Sequence, residues 1–257
     1  MKSFKTHLSE ATTDLSICEL LQLPTVQAFK QKLEKLSSSN KNLKPYWDAL
    51  NNWFEQSQGV KRFMGKIVEM GMCPKKAKWA GWSGKGYRGL NKRKEWFKQI
   101  KFTDEFVVKN NNLFLVANGT YQSKYVAQSW SDKFDVGQEF SGSDTGIGVV
   151  LEISLTPETT LLSPKASEAI GAFGESEIIR ITNQSAPVKM YVNIELMIES
   201  AAFRAWNFSD GFHKKPEWWR SMFEKEFSNL GDAKLVKTIM SNPKVKAIMK
   251  RESQHTI

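Results

Sequence analysis

Gly84-Lys85-Gly86-Tyr87-Arg88-Gly89-Leu90 is the stretch whose reading decides the fold. Its first six residues spell G-x-G-x-x-G, the spacing of a dinucleotide-binding turn, but such a turn needs a buried strand before it and a helix after it. The preceding run, Lys75-Lys76-Ala77-Lys78-Trp79-Ala80, holds no Val, Ile or Leu, and no alternation of strand and helix follows. The Rossmann reading fails on that context. The glycines read instead as part of a β-type run, Lys78–Leu90.

Upstream of this run the pattern is helical. Thr13-Asp14 can cap a helix through Leu23, and a second follows Pro24-Thr25 to Leu36. Pro45 opens a third, with Tyr46, Trp47, Leu50, Trp53 and Phe54 on one face. Val60, Phe63, Met64, Ile67 and Val68 repeat that stripe up to Gly71. Downstream the period shortens. Leu113–Ala117, Tyr125–Ser131, Gly148–Leu155, Thr160–Leu162, Glu177–Thr182 and Val188–Met197 read as strands, separated by turns such as Asn118-Gly119. After Ser200 helical spacing returns, with Trp218, Trp219, Met222, Phe223 and Phe227, then Leu235 to Met240 and Val245 to Met249. The expected class is α+β: a helical N-terminal lobe over residues 1–75, an antiparallel or mixed β core over 76–199 and a helical C-terminal extension over 200–257.

A chain of 257 residues suits one large domain or one with an appendage. Hydrophobic residues at 40% and charged ones at 25% are an ordinary globular balance, which excludes wholesale disorder. No stretch approaches about 18 uninterrupted apolar residues, so no membrane span and no membrane partner are expected. The start has lysines without a following apolar run, so no secretory signal is read there. Cys18 and Cys73 are too few for a disulfide framework, and a reducing, cytoplasmic setting is expected. With His7, His213 and His255 as the histidines, no zinc motif can be built and no metal is expected. His213, in a turn-like Gly211–Pro216 stretch, reads as a surface residue rather than a catalytic base.

The net charge of +10 is concentrated. Residues 41–100 hold fourteen Lys and Arg against four acidic residues. Such a patch attracts anions, or simply solvates a face. Trp47, Trp53, Trp79, Trp82 and Trp96 are interleaved with it. Interleaved rings and cations can stack bases and neutralise phosphates, although Trp47 and Trp53 also fit a helix core.

Three short motifs follow in order. Gly86-Tyr87-Arg88-Gly89-Leu90 comes first, Gln128-Ser129-Trp130-Ser131 lies 41 residues on, and Phe173-Gly174-Glu175-Ser176-Glu177 another 48 on. Each alone is common. Together, over roughly residues 79–197, they resemble the Y-R-G, S-x-S and E-x-E strands of arginine-type (R-S-E) mono-ADP-ribosyltransferases, most like the tailed-bacteriophage members that modify host proteins. The resemblance implies two packed sheets around an NAD cleft, preceded by a helical lobe. It implies a transferase that moves ADP-ribose from NAD to a host protein and releases nicotinamide. E-x-E goes with arginine acceptors in that family.

What the resemblance implies for each residue has a physical counterpart. Cleaving the nicotinamide–ribose bond develops positive charge on the ribose, which the Glu177 carboxylate would stabilise. Arg88, with Gly89 beside it, offers a planar fork for phosphate or ribose. Ser129 would sit against the NAD and orient Glu177, with Ser131 also on the ligand side. Glu175 would steer or deprotonate the acceptor, and Phe173 would contact it. Of the two rings in the loop after the S-x-S strand, Phe134 and Phe140, Phe134 is the expected nicotinamide partner. Trp130 departs from the usual small middle residue, but its side chain points away from Ser129. Two other readings stand beside this one: a non-enzymatic nucleic-acid-binding protein using the 41–100 patch, and a virion structural protein of the same fold. Direct nucleic-acid contact through that patch is also open to the transferase.

Overall fold

The computed structural model of the chain describes residues 15–54, 60–97, 100–142, 146–171, 176–208 and 214–254. Thr13 and Asp14 lie outside them. Helix α1, Ile17–Leu20, is capped instead by Ser16, whose Oγ accepts from the Glu19 amide while the Glu19 carboxylate accepts from the Ser16 amide. The Thr25 hydroxyl caps α2, Val26–Ser37. Helices α3, Lys44–Phe54, and α4, Val60–Gly71, complete the lobe. Leu20, Phe29, Leu33, Leu50, Ile67 and Met70 are buried between these helices. Cys18 and Cys73 are joined across the lobe, with Cα atoms 5.3 Å apart. This pair removes the support that the cysteine count lent to a reducing compartment, since such bridges persist in oxidising ones.

Eight strands follow among the described residues: β1 Gly84–Lys92, β2 Lys101–Lys109, β3 Asn112–Tyr121, β4 Gln128–Ser131, β5 Ile147–Leu155, β6 Thr160–Leu161, β7 Glu177–Arg180 and β8 Ala186–Asn193. The G-x-G-x-x-G stretch is thus strand, paired with β5 from Gly84↔Leu155 to Lys92↔Ile147. Strand β2 was not expected. Its Lys, Asp and Glu hide the alternation, and its register shifts between Phe102 and Phe106. The expected strand to Met197 ends at Asn193, because the Asn193 side chain accepts from the Leu196 amide and starts a helix.

The expected two sheets are one hydrogen-bonded order, β2-β3-β8-β5-β1-β4-β7-β6, all antiparallel. The join between β1 and β4 is narrow, a single register pair, Tyr87↔Ser131. Five strands lie on one side of it and three on the other.

Short helices α5, Lys94–Phe97, α6, Phe134–Glu139, and α7, Pro164–Ile170, fill connections. Helices α8, Ile194–Phe208, α9, Pro216–Phe227, α10, Ala233–Ser241, and α11, Pro243–Ser253, form the C-terminal layer. Neither flanking segment has a core to itself. Ile198, Ala202, Trp219, Phe223 and Phe227 pack with Leu115, Leu151 and Met190 of the five-strand part. The N-terminal lobe packs with Leu161, Ile179 and Ile181 of the three-strand part. All five tryptophans of the basic segment pack on these two cores, Trp53 buried and Trp47, Trp79, Trp82 and Trp96 partly buried. Among the described residues, no helix is long and apolar enough to cross a membrane.

Candidate active site

The narrow β1–β4 join opens a cleft. It encloses about 250 Å³ and is lined by Arg88, Gly89, Ser129, Ser131, Phe140 and Glu177, among others. That volume lies just below the usual range of ligand pockets, about 300–1,000 Å³, and suits a sugar and a ring rather than a whole dinucleotide. Three segments far apart in sequence therefore meet where β1, β4 and β7 lie side by side.

Residues directly opposite on antiparallel strands share a face. Ser131 is opposite Glu177, and Ser129 is opposite Ile179. The direct neighbour of Glu177 is thus Ser131, not the expected Ser129. Ser131 is buried and its Oγ accepts from the Lys133 amide at 3.1 Å, while Ser129 is exposed at the cleft wall. Trp130 and Ile178 point to the opposite face and into the five-strand core, as expected for Trp130.

Glu177 is 8% exposed. Its Oε1 accepts a 2.7 Å hydrogen bond from the indole Nε1 of Trp53, on α3 of the N-terminal lobe. Such charge-assisted bonds are about twice as strong as neutral ones. Spacing had marked Trp53 only as core, and no local signal links it to Glu177.

Arg88 donates from Nη1 to the Ser129 carbonyl oxygen, while its Nε is buried with no partner. Burial lowers the guanidinium below its ordinary pKa, and the charges of Tyr121 and Glu177 oppose that shift. A buried donor without a partner costs about 1–3 kcal/mol, and an acceptor on a ligand would recover it.

Helix α6 roofs the cleft because two glycines let it approach β1. A Cβ on Gly89 would collide with the Gly137 carbonyl oxygen, and one on Gly137 would stand 3.2 Å from Tyr87 Cβ. Helix α6 also corrects the ring assignment. Phe134 is outside the cleft, packed edge-on against Phe114 at 5.3 Å and Tyr191 at 5.2 Å, with Lys109 Nζ 4.3 Å above its ring. Phe140, 55% exposed, takes the place at the cleft. Val136 and Gly137 line it too, and nothing in their sequence marked them.

Beside Tyr87, on the same sheet face, Glu152 accepts from the Tyr191 hydroxyl at 2.7 Å and pairs with Lys85 at 2.7 Å. Burial tends to raise its carboxyl, but the bonds from Lys85 and Tyr191 prevail and hold it below the ordinary value. Burial, with the bond to Glu152, pushes the Tyr191 phenol well up.

Phe173 and Glu175 lie outside the described residues. Ser176, however, has φ 49°, in the left-handed region, and β7 begins at Glu177. Among the described residues, no cluster of three or more His, Cys, Asp or Glu could hold a metal.

Compared with protein-family models, curated proteins and solved structures, the chain matches none. A buried carboxylate, an arginine with an unmade bond, two serines and an exposed ring suit a ligand with an anionic or hydroxyl-rich part and a flat ring.

Proposed function

We propose that the chain is an NAD-dependent ADP-ribosyltransferase that modifies arginine on a protein acceptor. The observation that carries this reading is the convergence of Arg88, Ser129, Ser131 and Glu177 in one cleft, from three motifs 41 and 48 residues apart. The orphan Arg88 Nε supports it, as a donor that a ribose or phosphate oxygen would satisfy. Bound NAD supplies the ADP-ribosyl group: its ribose–nicotinamide bond breaks, nicotinamide leaves with the bonding pair, and the acceptor nitrogen bonds to the ribose carbon and loses its proton.

Glu177 serves as the anion beside the ribose. Its burial makes its charge count for more than it would in water, because little solvent screens it. Arg88 orients the ligand through its planar fork. Ser131, opposite Glu177, limits the space beside the carboxylate, and Ser129 lies on the ligand wall. Phe140 stacks on the leaving ring in place of Phe134. The α6 roof covers one side of the cleft, which limits the approach of water to the ribose. Glu175 and Phe173 belong to acceptor recognition in this reading. The fold is then a two-part sheet around an NAD cleft, in a phage protein that acts on a host protein.

The test is incubation of the purified protein with adenylate-labelled NAD and a bacterial lysate. Transfer of label to protein, with nicotinamide release, is expected, and Glu177→Ala should abolish both while keeping the thermal midpoint. Unchanged nicotinamide release by folded Glu177→Ala would falsify the assignment. Salt-sensitive nucleic-acid binding without labelling would favour the non-enzymatic reading.

A further inference from the structure

We infer that Trp53 is a positioning residue for Glu177, so that the N-terminal helical lobe sets the geometry of the cleft carboxylate. The inference rests on the transferase reading and extends it to a residue 124 positions away from Glu177. Trp53 does not line the cleft, whereas Glu177 does. The two meet behind the cleft wall, each 8% exposed, so water competes little for the bond.

A glutamate has three side-chain torsions to fix, and Glu177 is the first residue of β7, just after the left-handed Ser176. The strand ladder alone does not orient its carboxylate. The indole N–H takes Oε1 and so constrains the plane of the group. The indole is itself held firmly. Leu43, Ala49 and Leu50 bury α3, and Cys18–Cys73 ties α1 to the chain just after α4, which packs on α3. Its ring also belongs to the core that contains Ile179 and Ile181 of the β7 segment. The donor and the strand it serves therefore move as one packed unit.

The experiment compares wild type, Trp53→Phe and Trp53→His in nicotinamide release from NAD, with thermal unfolding of each. In parallel, the Trp53 indole ¹H–¹⁵N signal is recorded in wild type and Glu177→Gln. The expected result for Trp53→Phe is a kcat lower by about ten- to a hundred-fold, with KM for NAD within about twofold, because a bond to a charged group is lost while the ligand wall is intact. Trp53→His, which keeps a ring N–H, should recover part of kcat, and the indole signal should shift in Glu177→Gln. A kcat for folded Trp53→Phe within about twofold of wild type overturns the inference. So does a loss that appears in KM and the thermal midpoint with no separate effect on kcat. If Trp53→Phe does not fold, an indole signal unmoved by Glu177→Gln overturns it. Wild type without nicotinamide release overturns the transferase reading and this role with it. An active wild type with an indifferent Trp53 overturns only the role.

Discussion

One methyl group should act with opposite sign at two glycines. In Gly89→Ala the new Cβ meets the Gly137 carbonyl oxygen and, at 2.5 Å, the Phe140 carbonyl carbon and the Ser141 amide nitrogen. These are backbone atoms of α6 and its C-terminal end, so no side-chain rotamer can relieve the clash and the helix must lift off β1. Overpacking of this kind costs about 3 kcal/mol. For a chain of this size, 1 kcal/mol moves the thermal midpoint by about 2–4 °C, which predicts a fall of about 6–12 °C. Gly65 is exposed on α4, and a Cβ built there meets nothing within 4 Å. Gly65→Ala should gain about 1 kcal/mol from helix propensity and raise the midpoint by about 2–4 °C. Calorimetry of the three proteins reads both effects. A Gly89→Ala midpoint within about 2 °C of wild type refutes the close approach of α6 to β1, and with it the roofed cleft.

The bridge Cys18–Cys73 spans 55 residues, for which loop-closure entropy gives about 4 kcal/mol. Unfolding with and without reductant should show a midpoint drop of about 8–16 °C, and a reductant-indifferent midpoint refutes the pairing. Glu152, with a carboxyl held below 4.5 in the folded protein, contributes stability above that pH and loses it as pH falls through the lowered value. Glu152→Gln should therefore be less stable at neutral pH and show a flatter acid limb in denaturant titrations; an unchanged acid limb refutes this. The two phenylalanines should separate. Phe140→Ala should weaken NAD binding at unchanged midpoint, whereas Phe134→Ala should lose about 3 kcal/mol of stability by emptying its ring cluster. Calorimetric titration with NAD and thermal unfolding distinguish them, and the reverse pattern would restore Phe134 to the site.

Much of the architecture was legible because it rests on local spacing. The stripe Tyr46, Trp47, Leu50 and Trp53 yields α3 wherever the lobe packs, since a 3.6-residue period places those side chains on one face. The glycine-rich stretch could be moved from turn to strand on the absence of an apolar run before it. The strand β2 escaped because Lys101, Asp104, Glu105 and Lys109 interrupt the alternation; it pairs only with β3, at the edge of the sheet, where charged residues are tolerated. The strand–helix change at Asn193 escaped because a side-chain cap, not a change of hydrophobic period, makes it.

By itself the sequence determined that helical segments flank a β-rich middle, and the order of the three motifs along the chain, but not the short helices α5, α6 and α7 within that middle. Periodicity and turn chemistry act between near neighbours and need no knowledge of the chain path. Tertiary structure alone decided that Ser131 rather than Ser129 is opposite Glu177, that Phe140 rather than Phe134 borders the cleft, that Trp53 binds Glu177, and that Cys18 meets Cys73. The first follows from strand register and the second from the seating of α6 on β1 through Gly89 and Gly137. The last two join residues 124 and 55 positions apart. Such contacts depend on how packed layers bring distant backbone together, and no local pattern encodes them.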